Sequence, residues 1–156
     1  MTVESILKKI KPIHTAFPTD WICLTGGEPL FQNIGGLVQR LKAEDFKIQV
    51  ETNATLFQRL GVDWYTISPK PPDYFYRPEY IKKAKEIKIV VTKGLDLGVL
   101  KKIRQDFPEK IPFLLQPQSN RKSSGKHAMK LLKQTLRDGV KNVRLTAQIH
   151  KIFGWR

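Results

Sequence analysis

Four short polar motifs carry the residues that could do chemistry, and each follows an apolar run. Thr25-Gly26-Gly27-Glu28 follows WICL, Glu51-Thr52-Asn53 follows FKIQV, Ser68-Pro69-Lys70 follows WYTI, and Gln116-Pro117-Gln118-Ser119 follows IPFLL. A glycine pair lets backbone approach a ligand closely because no Cβ intervenes. Glu28 can then offer a carboxylate to an ammonium or amidine, with Pro29 fixing the exit of the chain; the same residues also make a plain tight turn. Asn53 has donor and acceptor groups suited to hydroxyls such as those of a ribose, or it closes an Asx-turn or helix cap. Lys70, in a proline-stiffened loop, suits a ligand carboxylate; the alternative is a solvated charge. Gln116 and Gln118 flank Pro117 and can read a purine edge; the alternative is a solvated loop amide.

Other reactive side chains form no constellation. His14, His127 and His150 lie far apart and lack metal-ligand spacing. Cys23 sits between Ile22 and Leu24, where a buried, inert thiol is expected. As the single cysteine it excludes an internal disulfide, and it excludes a zinc or iron–sulfur site built from these residues' own thiolates. No serine nucleophile elbow, P-loop or dinucleotide fingerprint occurs. No catalytic side chain and no metal ligand is assigned.

Elements that must position these motifs alternate along the chain. Helical periodicity covers Val3 to Ile10, Asn33 to about Glu44, Leu56 to Leu60, Glu79 to Lys85 (weakly) and Asp96 to Asp106. A further helix, capped by Ser123 or Ser124, runs to about Arg137 and ends at Gly139. Strands are expected at Trp21–Thr25, Phe46–Val50, Trp64–Ile67, Glu86–Val91, Ile111–Leu115 and Val140–Thr146, then a tail from Ala147. Pro69 to Pro78 must be loop, because proline continues neither ladder nor helix. Strand–helix alternation argues for βαβ units around a parallel sheet, whose chemistry collects beyond the C-terminal strand ends.

The chain has 156 residues, suited to one domain, with 40% hydrophobic residues to build a core. No apolar run approaches the roughly 18 residues that span a bilayer, and the first residues, MTVESILKKIKPIH, have no signal-peptide core; a cytoplasmic protein is expected. Net charge is +14. Met1 to Phe75 balance at 8 basic and 8 acidic residues, whereas Tyr76 to Arg156 hold 20 basic and 6 acidic. That asymmetry suits an anionic partner, or else marks a lysine-rich solvated surface. RNA recognition lacks its usual signatures: there is no RNP-like aromatic pair, KH loop or zinc knuckle.

In order, TGGEPL (25–30), VETNAT (50–55), ISPKP (67–71), LQPQS (115–119) and the tail VRLTAQIHKIFGWR (143–156) resemble the 7-carboxy-7-deazaguanine synthase family of the radical S-adenosylmethionine superfamily. The resemblance covers nearly the whole chain. It implies an α/β fold, a partial (β/α) barrel of parallel strands forming one domain over 1–156. It also implies an activity: a 5′-deoxyadenosyl radical starts the ring contraction of 6-carboxytetrahydropterin in queuosine and archaeosine precursor synthesis, a tRNA-modification route. Carried over by motif, Thr25 contacts the pterin and Gly27 the methionine end of S-adenosylmethionine. Ser68, Pro69 and Lys70 line the same cofactor, joined by Gln116, Pro117, Gln118 and Ser119. Gly26, Glu28 and Asn53 complete that set, and Arg156 reaches the substrate through its terminal carboxylate.

The family's CxxxCxxC loop, which holds a 4Fe-4S cluster, has no counterpart here, nor does its magnesium-binding threonine. The expectation is therefore an amino-truncated barrel, inactive by itself. Half of a split enzyme, a non-catalytic S-adenosylmethionine or pterin binder, and a basic RNA-associated protein are the alternatives. Expected partners are the pterin, an acidic electron donor of the flavodoxin or ferredoxin type on the basic half, and a second copy along the exposed edge of the Trp21–Thr25 strand. Neither a membrane nor direct nucleic-acid binding is expected.

Overall fold

Alternation of apolar and polar residues in KIQVET and EIKIVV gives each strand one face for a core and one for something else. In the structure, a computed structural model describing residues 2–154, six strands realise that pattern: β1 (Trp21–Leu24), β2 (Lys47–Thr52), β3 (Trp64–Ile67), β4 (Ala84–Val91), β5 (Phe113–Pro117) and β6 (Val143–Leu145). All neighbours pair in parallel, in the order β1-β2-β3-β4-β5-β6, so the sheet is open with β1 and β6 at its edges. This is the expected partial barrel.

One face carries Ile48, Val50, Ile67, Ile87, Ile89, Val91, Phe113 and Leu115, all buried. Helices α1 (Val3–Ala16), α2 (Gly35–Ala43), α3 (Leu97–Asp106) and α4 (Lys122–Arg137) supply Leu7, Val38, Leu41, Leu100, Ile103, Ala128 and Leu131 to the same core. Burial of each such side chain contributes about 1.5–3 kcal/mol. A last short helix, α5 (Ile149–Ile152), follows β6.

Several expected boundaries shift. Helix α1 continues through Pro12 to Ala16, since proline removes only one intrahelical donor there. No helix forms over 56–60. Ala54 takes a left-handed φ of 66°, the Leu56 carbonyl accepts the Tyr80 hydroxyl at 2.6 Å, and Gln58 Nε2 donates to Leu30 O and Gln32 O. Tyr80 thus takes one carbonyl and the Gln58 side chain ties the segment to the carbonyls of Leu30 and Gln32, while nucleating so short a helix is costly. The weak helix over Glu79–Lys85 is a single 3₁₀ turn, Pro78–Tyr80, because Ala84 already pairs with Tyr65 in the sheet. Neither serine caps α4. Arg121 is its N-cap, and Ser124 Oγ donates to Gln118 O at 3.0 Å and Arg121 O at 2.9 Å. Asp96 does cap α3, accepting from Val99 N at 2.9 Å.

Candidate functional site

Parallel strands deliver all their C-terminal ends to one rim, and at the β1–β3 end a cavity of about 340 Å³ opens. It gathers three of the four motifs: Thr25 to Glu28, Asn53, and Ser68 with Lys70. Phe31, Glu51 and Thr52 complete its wall. Gly26 has φ +129°, which side chains rarely adopt, and a Cβ at Gly27 would meet nothing within 4 Å. The glycines therefore serve an open backbone face rather than a packed one.

Glu28 holds the rim together. Its Oε1 accepts the Leu30 N–H at 3.1 Å and the Thr52 hydroxyl at 2.7 Å, and its Oε2 accepts the Asn53 N–H at 2.7 Å. Thr52 Oγ1 in turn accepts from Ala54 N at 3.0 Å. The Asn53 side chain closes an Asx-turn, its Oδ1 accepting from Thr55 N at 2.9 Å and Thr55 Oγ1 at 2.7 Å. Its Nδ2 has no protein acceptor among the described residues.

Below the rim the sheet's second face is polar. In-register pairing puts Cys23 beside Gln49, and Thr66 between Glu51 and Glu86. Gln49 Nε2 donates to Thr66 Oγ1 at 3.0 Å, and Thr66 Oγ1 donates to Glu86 Oε1 at 3.1 Å. Lys88 and Glu51 form an ion pair. Lys70 donates to Ser68 Oγ at 2.6 Å. Desolvation at the rim lowers the Lys70 pKa, helped by Lys88 and opposed by Glu51 and Glu28. Cys23 is exposed on this face rather than buried. Its strand lies at the sheet's edge, so only β2 flanks it; partial desolvation, then Glu51, raise its thiol pKa. Glu86 and Lys88 escaped the motif reading, which included Glu51 and Thr52 but gave them no role. The strict alternation in KIQVET and EIKIVV was their signal, since a parallel strand buried on both faces has no place for it.

The β5 motif stands apart from this cavity. Gln116 is buried beside Val90, Pro117 ends the strand, and Gln118 and Ser119 form an exposed 3₁₀ turn with Asn120. Gln118 lines a separate cavity of about 420 Å³ with Lys93, Arg121 and His127. Pro69 is buried next to Lys70 without lining either cavity. The substrate role expected of Arg156 lies outside the described residues.

No protein-family model matches the chain. A 7-carboxy-7-deazaguanine synthase from Aquifex aeolicus is 34% identical over 159 aligned positions, covering 97% of this chain and 70% of that protein. This decides the family. The chain belongs to the 7-carboxy-7-deazaguanine synthase family. A synthase from Rickettsia prowazekii is 29% identical over 97% of this chain and 68% of its own length. The crystal structure of QueE from Escherichia coli superposes with a TM-score of 0.72 at 24% identity, covering 95% of this chain and 64% of that one. That likeness supports the fold. The chain thus spans about two thirds of the length of these proteins.

Two groups associated with this synthase family fit these residues unequally. For S-adenosylmethionine, the rim offers an open glycine backbone, a hydroxyl at Ser68 and an ammonium at Lys70, a donor set that matches an amino-acid carboxylate. For a 4Fe-4S cluster the residues do not fit. The 156 residues contain one cysteine, and among the described residues no group of three His, Cys, Asp or Glu side chains could hold a metal ion. Among them, too, no helix is long and apolar enough to cross a membrane.

Proposed function

We propose that this chain carries the S-adenosylmethionine- and pterin-binding rim of a 7-carboxy-7-deazaguanine synthase, and that these 156 residues bind without catalysing. The observation behind this reading is the β1–β3 cavity, which collects Thr25, Gly26, Gly27, Glu28, Asn53, Ser68 and Lys70 from three separate stretches of sequence. Lys70 holds the ligand carboxylate, while Gly27 passes its backbone beside the methionine end. Ser68 forms part of the wall and the buried Pro69 fixes the approach of Lys70, while Gln116 to Ser119, which stand apart from this cavity, are assigned to the same cofactor by the family motif alone. Thr25 contacts the pterin, and Arg156, outside the described residues, takes the substrate role that the family motif implies. Bound S-adenosylmethionine would supply the radical precursor, but these residues hold no thiolate set that could carry a cluster to cleave it. The chain forms one domain, dimerises along the β1 edge, and docks an acidic electron donor on its basic half.

Calorimetric titration with S-adenosylmethionine tests the binding. The chain should bind it, and K70A should weaken binding about tenfold, the loss of one charge-assisted hydrogen bond. Absence of binding, or a K70A variant that binds equally well, would overturn the assignment. Incubation with iron, sulfide and dithionite should yield no 5′-deoxyadenosine; its appearance would refute the non-catalytic half of the reading.

A further inference from the structure

At the opposite end of the sheet, where β4 starts and β5 has not yet begun, a groove of about 760 Å³ runs between the β4 start and the α3–β5 connection. It exists because the β3–β4 crossover has only a 3₁₀ turn where a covering helix was expected. Ile81 and Pro108, with the buried Phe107 and Ile111 behind them, give it an apolar floor. Lys82, Lys85 and Lys110 stand around it.

The lining of this groove is net positive, with three lysines against one carboxylate. None of those three lysines has an ion-pair partner among the described residues, although Lys101 and Lys141 close by are each matched to a carboxylate. The one acid in the lining, Asp106, accepts the Tyr76 hydroxyl. Beneath the same connection lies Arg104, only 8% exposed. Its Nη1 donates to Ile111 O at 2.7 Å, and its Nη2 to Phe107 O at 2.9 Å and to Pro108 O. Those three carbonyls shape the groove wall, but they leave the guanidinium's full charge unneutralised and its Nε without an acceptor. Glu109, the acid whose field reaches it, pairs with Lys141 at 3.0 Å. A buried cation behind three unpaired ammonium groups is a standing positive field on an apolar floor, and burial strengthens such a field.

We propose that this groove is a second ligand site, distinct from the rim, for a small phosphorylated molecule with a flat apolar body, of the mononucleotide class. The lysines bind the phosphate as point charges. The floor takes the ring, and Gln105 at the wall offers an amide for a polar ring edge. An RNA strand would share the phosphate and the ring, so oligomer length distinguishes the two sources.

AMP is the probe, titrated into the 156-residue chain by calorimetry and by amide chemical shifts. The expected result is binding that shifts the amides of 81–85 and 105–111 and leaves those of 25–28 unmoved. The double variant K85E/K110E should weaken AMP by at least about tenfold, while K126E/K130E, with the same change in net charge on α4, should not. Inorganic phosphate and adenosine should each bind more weakly than AMP. The shift map on the unaltered chain decides the site even if the double variant fails to fold. Unmoved amides at 81–85 and 105–111, equal loss in both double variants, or phosphate binding as tightly as AMP would overturn the proposal. An RNA tetramer binding more than about tenfold tighter than AMP would overturn the small-molecule assignment.

Discussion

The Glu28 carboxylate and the Asn53 backbone N–H meet at 2.7 Å, joining the loop after β1 to the end of β2. Glu28 was expected to face a ligand cation. Instead its two oxygens accept three protein donors across that gap, so its work is to set the shape of the glycine loop.

Replacing Glu28 by Gln keeps the volume but turns one acceptor into a donor that must face Thr52 or Asn53. E28Q should destabilise the chain by about 1–3 kcal/mol, seen as a Tm lower by roughly 2–4 °C per kcal/mol. S-adenosylmethionine affinity should fall with it. An unchanged Tm would show that the rim holds its shape without this carboxylate.

Lys70 should make cofactor binding sensitive to pH. Desolvation lowers its pKa, so the ammonium that holds a carboxylate discharges below the ordinary lysine value of about 10.4. Affinity for S-adenosylmethionine should decline as pH rises through that lowered value, and K70A should flatten the profile. Titrations across the alkaline range provide the check.

Asp63 ties β2 to the loop before β3. Its Oδ2 accepts from Ile48 N at 2.7 Å, and both oxygens accept from Lys42 Nζ at 3.0 Å. The Ile48 hydrogen bond first, then Lys42, lowers its pKa. The folded value lies below the unfolded one, so this stabilisation is present above about pH 4 and is lost as pH falls through the folded pKa. With the side chain about a third exposed, its charge contributes only about 1 kcal/mol. Acid denaturation of D63N should accordingly show a smaller loss of stability below pH 4 than the parent chain.

Strand β1 pairs only with β2 among the described residues, and Trp21 and Phe17 beside it are exposed. Light scattering should find a dimer, and W21K should shift it toward monomer. A parent chain that runs as a clean monomer would refute pairing along this edge.

By itself the sequence determined the strand succession and the polar motif closing each strand, because alternation of two and proline or glycine punctuation are local properties. WYTI, for instance, lies in the structure at the residues where its pattern places it. Family membership was legible for the same reason: TGGEPL, ETN and SPK keep their order along the chain. Tertiary structure decided what local pattern cannot hold. Whether Leu56–Leu60 coils depended on Tyr80, distant in sequence, taking the Leu56 carbonyl, and on the Gln58 side chain reaching the carbonyls of Leu30 and Gln32. Whether Glu28 faced ligand or protein depended on the register that sets β1 against β2. Cys23 lies exposed because β1 is the edge of the sheet, and Arg104 lies buried because three carbonyls from one loop close around it. A residue's type limits its partners, but which partner comes within about 3 Å is settled only when strands distant in sequence are brought side by side.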